Sequence, residues 1–184
     1  LRTRLRRPLL YPLSYKRISS IILYFYQNFK SQFENGRKDM KKKPYDVYSP
    51  KIYPRLLFVS TNIEDLDKYF IFLDVYGNND GSEYNKLLQE IDKYDGGMVT
   101  CKVIRKSDNK YGVIVIAVTS TEDITPDMIP HEAVHVADYF CEQLGLYTQD
   151  FKDGNEAYAY LVGWAAGNIS NTICNELKNK DYDN

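Results

Sequence analysis

Histidine and cysteine, two side chains that often bind metals, are scarce in this 184-residue sequence, which has two histidines and three cysteines. Three is an odd number, and no two of Cys101, Cys141 and Cys174 have the CxxC spacing. The sequence therefore argues against a disulfide framework and against a thiolate zinc site. We expect the three cysteines to be buried thiols in a reducing compartment.

Long hydrophobic runs are also lacking. The apolar stretch at 18–29 is too short to span a bilayer and contains Gln27 and Asn28. No small-residue cleavage site follows it, so it does not have the form of a signal peptide. We expect no transmembrane segment. With 43% hydrophobic and 27% charged residues, the composition is that of a globular chain with one domain.

The net charge of −1 hides an uneven distribution. Residues 1–39 carry nine Lys or Arg against two acidic residues, whereas residues 40–184 carry fifteen against twenty-three. The chain begins with Leu1, and codons for the segment just before Met40 can resemble a bacterial ribosome-binding site. We expect residues 1–39 to be a basic extension that is disordered or not native, followed by one domain at 40–178 and a polar tail at 179–184.

The hydrophobic pattern predicts an α+β fold. Strands are predicted at 55–60, 98–105 and 111–119, and helices at 63–72, 84–94, 125–145 and 154–177. A polar turn at 107–110 makes a hairpin of the last two strands, so we expect a small, mostly antiparallel sheet. The last strand is apolar on both faces; it is either a sheet edge that receives a substrate or an ordinary central strand.

Both histidines fall in one short segment, His131-Glu132-Ala133-Val134-His135, which is an HExxH motif. Positions i and i+4 share a helix face, so His131 and His135 can bind one zinc ion together. Glu132 lies about 100° around the helix from His131 and is left for acid–base chemistry. Pro130 predicts that the helix kinks or begins there.

A zinc site of this kind needs a third protein ligand. The last predicted helix, at 154–177, carries Glu156. If this helix lies antiparallel to the histidine helix, it can supply the carboxylate. We prefer Glu156 to Asp138, Glu142 or Asp153, because Asp138 and Glu142 share the histidine helix and point away along its axis.

The HExxH segment followed by Asn155-Glu156-Ala157 resembles the gluzincin branch of zinc metallopeptidases, and it is similar to small zincin-like proteins found in phage genomes. The resemblance implies a minimal zincin-like domain in which one Zn²⁺ is bound by His131, His135 and Glu156. It further implies hydrolysis of a peptide bond with Glu132 as general base. The expected location is the cytoplasm of a bacterial or phage-infected cell, with the virion as an alternative.

The chain differs from the thermolysin-like pattern at Tyr160, where that pattern has an aspartate. Asp138 becomes the candidate for orienting a ligating histidine. Tyr158 and Tyr160 are candidate donors to an oxyanion. Tyr160 is preferred because it lies one helical turn beyond Glu156, and a core tyrosine is the alternative.

Two other functions compete with the peptidase. One is a catalytically inactive, zinc-stabilised structural or binding protein associated with a phage. The other takes residues 1–39 as native and makes the protein a binder of nucleic acid or membrane. We expect a peptide or protein substrate as partner and no nucleic acid. The sequence leaves the oligomeric state open.

Overall fold

The computed structural model describes residues 43–91, 93, 97–147 and 154–183. These residues form five strands and three α-helices, which confirms the α+β class. The strands are β1 (Asp46–Tyr48), β2 (Leu56–Ser60), β3 (Phe70–Phe72), β4 (Met98–Arg105) and β5 (Lys110–Ala117). The helices are α1 (Glu83–Ile91), α2 (Met128–Leu144) and α3 (Glu156–Asp183).

The strands form one mixed sheet in the order β1-β2-β5-β4-β3. Strand β2 pairs with β5 in parallel, and the other three pairings are antiparallel. The sheet is therefore mostly antiparallel, as predicted. Strand β5 lies in the middle, which explains why both of its faces are apolar: residues 112–117 are all buried.

Helices α2 and α3 cover one face of the sheet. The buried side of α2 is a stripe at helical spacing, made of Ala133, Val136, Ala137 and Phe140. It packs with residues of β2, β5 and α3 in one core cluster. A second cluster, which includes Phe58 and Phe70, fills the other face of the sheet. Because the apolar stripe of α2 faces inward, the histidines lie at the side of the helix, above β4.

Helix α2 begins at Met128, two residues before Pro130, where we predicted its start or a kink. Pro130 is the third residue of the helix, within the first turn, where a backbone N–H has no intrahelical acceptor. The helix therefore neither begins nor needs to kink at Pro130. It ends at Gly145, as predicted, with a left-handed φ of 63°.

The helix predicted at 63–72 is wrong. Asp65 has a left-handed φ of 60°, only a short 3₁₀ turn follows at Leu66–Lys68, and the chain then enters β3. Phe70 and Phe72 are both buried in β3, with a less buried residue between them. This alternation is the period of a strand, and it competes with the helical spacing in the same segment.

The last helix also departs from expectation. It continues to Asp183, so most of the segment predicted as a polar tail is helical. Gly163 and Gly167 are exposed, and a methyl group at either would touch nothing within 4 Å, so they do not provide the close-packing surface we predicted. Trp164 does pack inward, with its ring centroid 6.1 Å from that of Phe140.

The cysteines are free thiols, but they are not all buried as predicted: Cys101 and Cys141 are half-buried, and Cys174 is exposed. The predicted extension at 1–39 lies outside the described residues and stays a prediction. Within the part of the chain that the structure describes, no helix is long and apolar enough to cross a membrane.

Candidate metal and catalytic site

The two histidines meet above the sheet. Their Nε2 atoms are 3.2 Å apart, and their ring centroids are 4.8 Å apart. A tetrahedral zinc ion 2.0–2.1 Å from each nitrogen would hold two such nitrogens about 3.3 Å apart. The same separation also suits a hydrogen bond between neutral imidazoles, with one ring as donor and the other as acceptor. The pair therefore fits two corners of a metal site.

A cleft of about 580 Å³ opens beside this pair. His131, Glu132 and His135 form one side of it, and Tyr139 continues that side along α2. The rest of the lining is largely apolar and comes from α1, from β4 and the residue before it, from the residue after β5, and from the start of α2. It consists of Leu87, Ile91, Gly97, Met98, Val99, Thr100, Val118, Asp127 and Met128. A mostly apolar cleft with a few convergent polar groups is the usual form of a small binding site.

Glu132 is the buried polar group of this cleft, with 7% of its surface exposed. Its Oε2 accepts a hydrogen bond from the Thr100 hydroxyl on β4, with an oxygen–oxygen distance of 2.5 Å. Its Oε1 lies 4.0 Å from Nε2 of His131. One carboxylate oxygen is thus held by the strand, and the other is directed toward the histidines.

Glu156 is not brought to the histidines. It is exposed in the first turn of α3. In the described part of the chain, no three His, Cys, Asp or Glu side chains are grouped so that they could hold a metal. Helix α3 does run antiparallel to α2, as predicted, but its first residues lie beside the C-terminal end of α2, near Cys141 and Leu146. The histidines lie in the N-terminal half of α2.

Asp138 does not orient a histidine as predicted. Its Oδ1 accepts a hydrogen bond from the Tyr158 hydroxyl at 2.6 Å, which ties α2 to α3. Burial and this bond to a carboxylate raise the pKa of Tyr158, so the phenol stays protonated. Of the other two alternatives to Glu156, Glu142 pairs with Lys102. Asp153 lies outside the described residues, so that alternative is not tested.

Tyr160 is 76% exposed and does not line the cleft. Neither predicted role, oxyanion donor or core residue, agrees with this position. The tyrosine that does line the cleft is Tyr139, whose ring stacks on His135 with centroids 6.4 Å apart. Burial raises the pKa of Tyr139, which keeps its hydroxyl a donor.

Sequence patterns could have found Tyr139 but not Thr100. Tyr139 is four residues after His135 and so shares its helix face. The contact between Thr100 and Glu132 depends on how α2 is placed over β4, and no local spacing reports that placement.

The cleft also borders an open sheet edge. Strand β3 pairs with only Val103–Arg105 of β4. In the described ranges no strand pairs with residues 98–101 on that side. The prediction that β5 offers the edge is therefore wrong, and its alternative, a central strand, is confirmed.

Comparisons with known proteins leave the family open. No family model, no curated protein and no solved structure matches the chain. The function has to follow from the residues of the cleft and from the motif that they form.

Proposed function

We propose that this protein is a zinc-dependent hydrolase of peptide bonds, of the gluzincin type that its HExxH motif resembles. The observation that carries the proposal is the 3.2 Å approach of the His131 and His135 Nε2 atoms in a cleft that also holds the buried carboxylate of Glu132. Burying that carboxylate costs free energy, so a helix that only packs in the core would have an apolar side chain at this position.

The proposed zinc ligands are His131, His135 and Glu156. The first two have the separation that the metal requires, whereas Glu156 reaches them only if the first turn of α3 is rearranged. That turn follows the segment 148–153, which lies outside the described residues. When bound, zinc supplies a Lewis acid that lowers the pKa of a coordinated water to about 7.

Glu132 is the proposed general base. Its Oε1 takes a proton from the attacking water while the water oxygen bonds to the carbonyl carbon of the substrate. Glu132 then gives that proton to the amine nitrogen as the carbon–nitrogen bond breaks. The hydrogen bond from Thr100 occupies only Oε2, so Oε1 is available for this transfer.

The proposed substrate is an extended peptide segment. The open edge of β4 borders the cleft, and an extended chain can add to it by main-chain hydrogen bonds. The apolar lining from Leu87, Ile91, Met98 and Met128 favours apolar side chains next to the cleaved bond.

A specific observation favours the second candidate, a zinc-stabilised protein without turnover. Glu156 lies apart from the histidines, and no described group of three ligands is in place. A site completed by side chains of another protein would bind metal at the His131–His135 pair without catalysing hydrolysis.

The experiment compares hydrolysis of fluorescein-labelled casein by the zinc-loaded 184-residue chain and by its Glu132→Gln variant. Glutamine keeps the shape and can still accept the Thr100 hydrogen bond, so the melting temperature and zinc content should change little. Loss of the base should lower the rate by at least about 10²-fold. Equal rates in the two proteins would refute the mechanism, and zinc binding without hydrolysis in both would favour the second candidate.

A further inference from the structure

The backbone of β4 alternates between its two neighbours. On the β3 side, the Lys102 carbonyl accepts from the Leu73 N–H at 3.0 Å and the Lys106 N–H donates to the Tyr69 carbonyl at 2.8 Å. On the β5 side, the Gly97 carbonyl accepts from the Val118 N–H at 3.0 Å. Even-numbered residues of β4 therefore direct their N–H and carbonyl groups away from β5.

Thr100 lies on the part of β4 that β3 does not reach. By this alternation its N–H and its carbonyl both face the open side, where the cleft lies. Its side chain leaves the sheet toward α2 and donates to Oε2 of Glu132. The branched Cβ of threonine restricts χ1, so the position of the hydroxyl is coupled to the backbone of the strand.

We infer that Thr100 is a positioning residue that aligns the general base with a bound peptide. Its main chain forms the hydrogen bonds that receive an extended substrate, and its hydroxyl fixes Glu132 so that Oε1 faces the bond to be cleaved. One residue thereby sets the position of the substrate and of the base relative to the same strand. This inference rests on the proposed function.

The test uses Thr100→Val and Thr100→Ser with a quenched fluorescent octapeptide selected from a random library for cleavage by the wild-type protein. Valine keeps the branched shape and the backbone pairing but cannot donate. Removing a hydrogen bond to a charged group that acts in the transition state typically lowers kcat by about 10–100-fold. We expect that loss in Thr100→Val with KM changed less than about threefold, and recovery in Thr100→Ser.

Thr119→Val is the matched control. The Thr119 hydroxyl contacts the carbonyls of Gly97 and Ser120 and not Glu132, so the same substitution there should leave kcat unchanged. A second measurement does not depend on turnover: adding the octapeptide to zinc-loaded Glu132→Gln should slow hydrogen exchange at the Thr100 amide.

The outcomes separate the two claims. If the wild-type protein cleaves and Thr100→Val has the same kcat, or serine does not restore it, the positioning inference is overturned and the proposed function stands. An effect on KM alone, or unchanged exchange at the Thr100 amide, also overturns it. If the zinc-loaded wild-type protein cleaves no peptide of the library, the proposed function fails and the inference fails with it.

Discussion

A buried carboxylate distinguishes α2 from an ordinary core helix. Glu132 is 7% exposed, next to the fully buried Ala133. A carboxylate at such a position costs free energy unless hydrogen bonds compensate it, and one bond, from Thr100, is present. An apolar side chain would stabilise the helix more, and the proposed role of Glu132 as general base would explain why a glutamate is present instead.

The third ligand is tested by Glu156→Ala, with Asp138→Asn as control. Glu156 is exposed, so truncating it should leave the fold intact. Loss of one of three protein ligands should weaken zinc binding by at least about 100-fold, since even changes around a ligand cost 10–100-fold. Competition with a chelator of known affinity measures the change. Weaker zinc binding in Asp138→Asn but not in Glu156→Ala would contradict the assignment.

At the residue scale, spacing alone predicted that His131 and His135 approach each other, because side chains four residues apart share one face of a helix. Spacing did not show that Asp138 would pair with Tyr158 or that Tyr160 would be exposed, because both depend on how α3 is rotated and displaced along α2. In the structure that displacement brings Tyr158 to Asp138 and leaves Tyr160 exposed.

Among the elements, β2 and β5 approach each other at a glycine. A Cβ on Gly112 would lie 2.2 Å from the Leu56 carbonyl oxygen and 2.8 Å from a ring carbon of Phe58. Gly112→Ala should therefore force the parallel pair apart and lower the free energy of unfolding by about 3 kcal/mol. Urea denaturation measures this change.

The matched control for that substitution is Gly163→Ala. Gly163 is an exposed position within α3 where a methyl group meets nothing within 4 Å. Alanine there should raise the free energy of unfolding by up to about 1 kcal/mol, because glycine is the poorer helix former. Equal stability of Gly112→Ala and the wild-type protein would contradict the close approach of the strands.

A buried lysine joins β4 to α2. Lys102 is 4% exposed, and its Nζ lies 2.6 Å from Oε2 of Glu142, 2.5 Å from the Val75 carbonyl oxygen and 4.9 Å from the ring centroid of Tyr139. The side chain of Glu142 is 54% exposed. Without Lys102, the Glu142 carboxylate can still be solvated by water. Without Glu142, the Lys102 ammonium group stays buried and cannot be solvated.

This difference predicts unequal effects of two substitutions. Glu142→Gln leaves a buried cation with less compensation and should lower the free energy of unfolding by about 2–3 kcal/mol. Lys102→Met leaves a carboxylate that water can solvate, and it should cost less than about 1 kcal/mol. Thermal or urea unfolding of both variants checks the order, and the reverse order would contradict the burial of Lys102.

At the element scale, β4, α1 and α2 could be predicted because each has one clear period, and β2 and β5 because each is a short continuous apolar run. Residues 63–72 could not, because the segment fits two periods. This segment ends in a strand because of the left-handed turn at Asp65 and because it pairs with β4, which lies far away in the sequence.

In the whole molecule, the sheet order and the short β3 determine which backbone borders the histidine pair. Strand β3 pairs with only Val103–Arg105 of β4, so the N-terminal part of β4 is an open edge beside the histidine face of α2. The α+β class followed from the order of strands and helices in the sequence. The sheet order did not, because the parallel pairing of β2 with β5 joins strands separated by β3, α1 and β4.

The central claim is that the His131–His135 pair holds one zinc ion per chain. The most direct measurement is elemental analysis of the 184-residue chain and of its His131→Ala and His135→Ala variants after zinc loading and dialysis. The chain has no other histidine, so no imidazole can replace the one removed. We predict one zinc per wild-type chain and less than about a tenth of that in each variant, since two remaining protein ligands bind too weakly to survive dialysis. Stoichiometric zinc in both variants, or none in the loaded wild-type protein, would contradict the account.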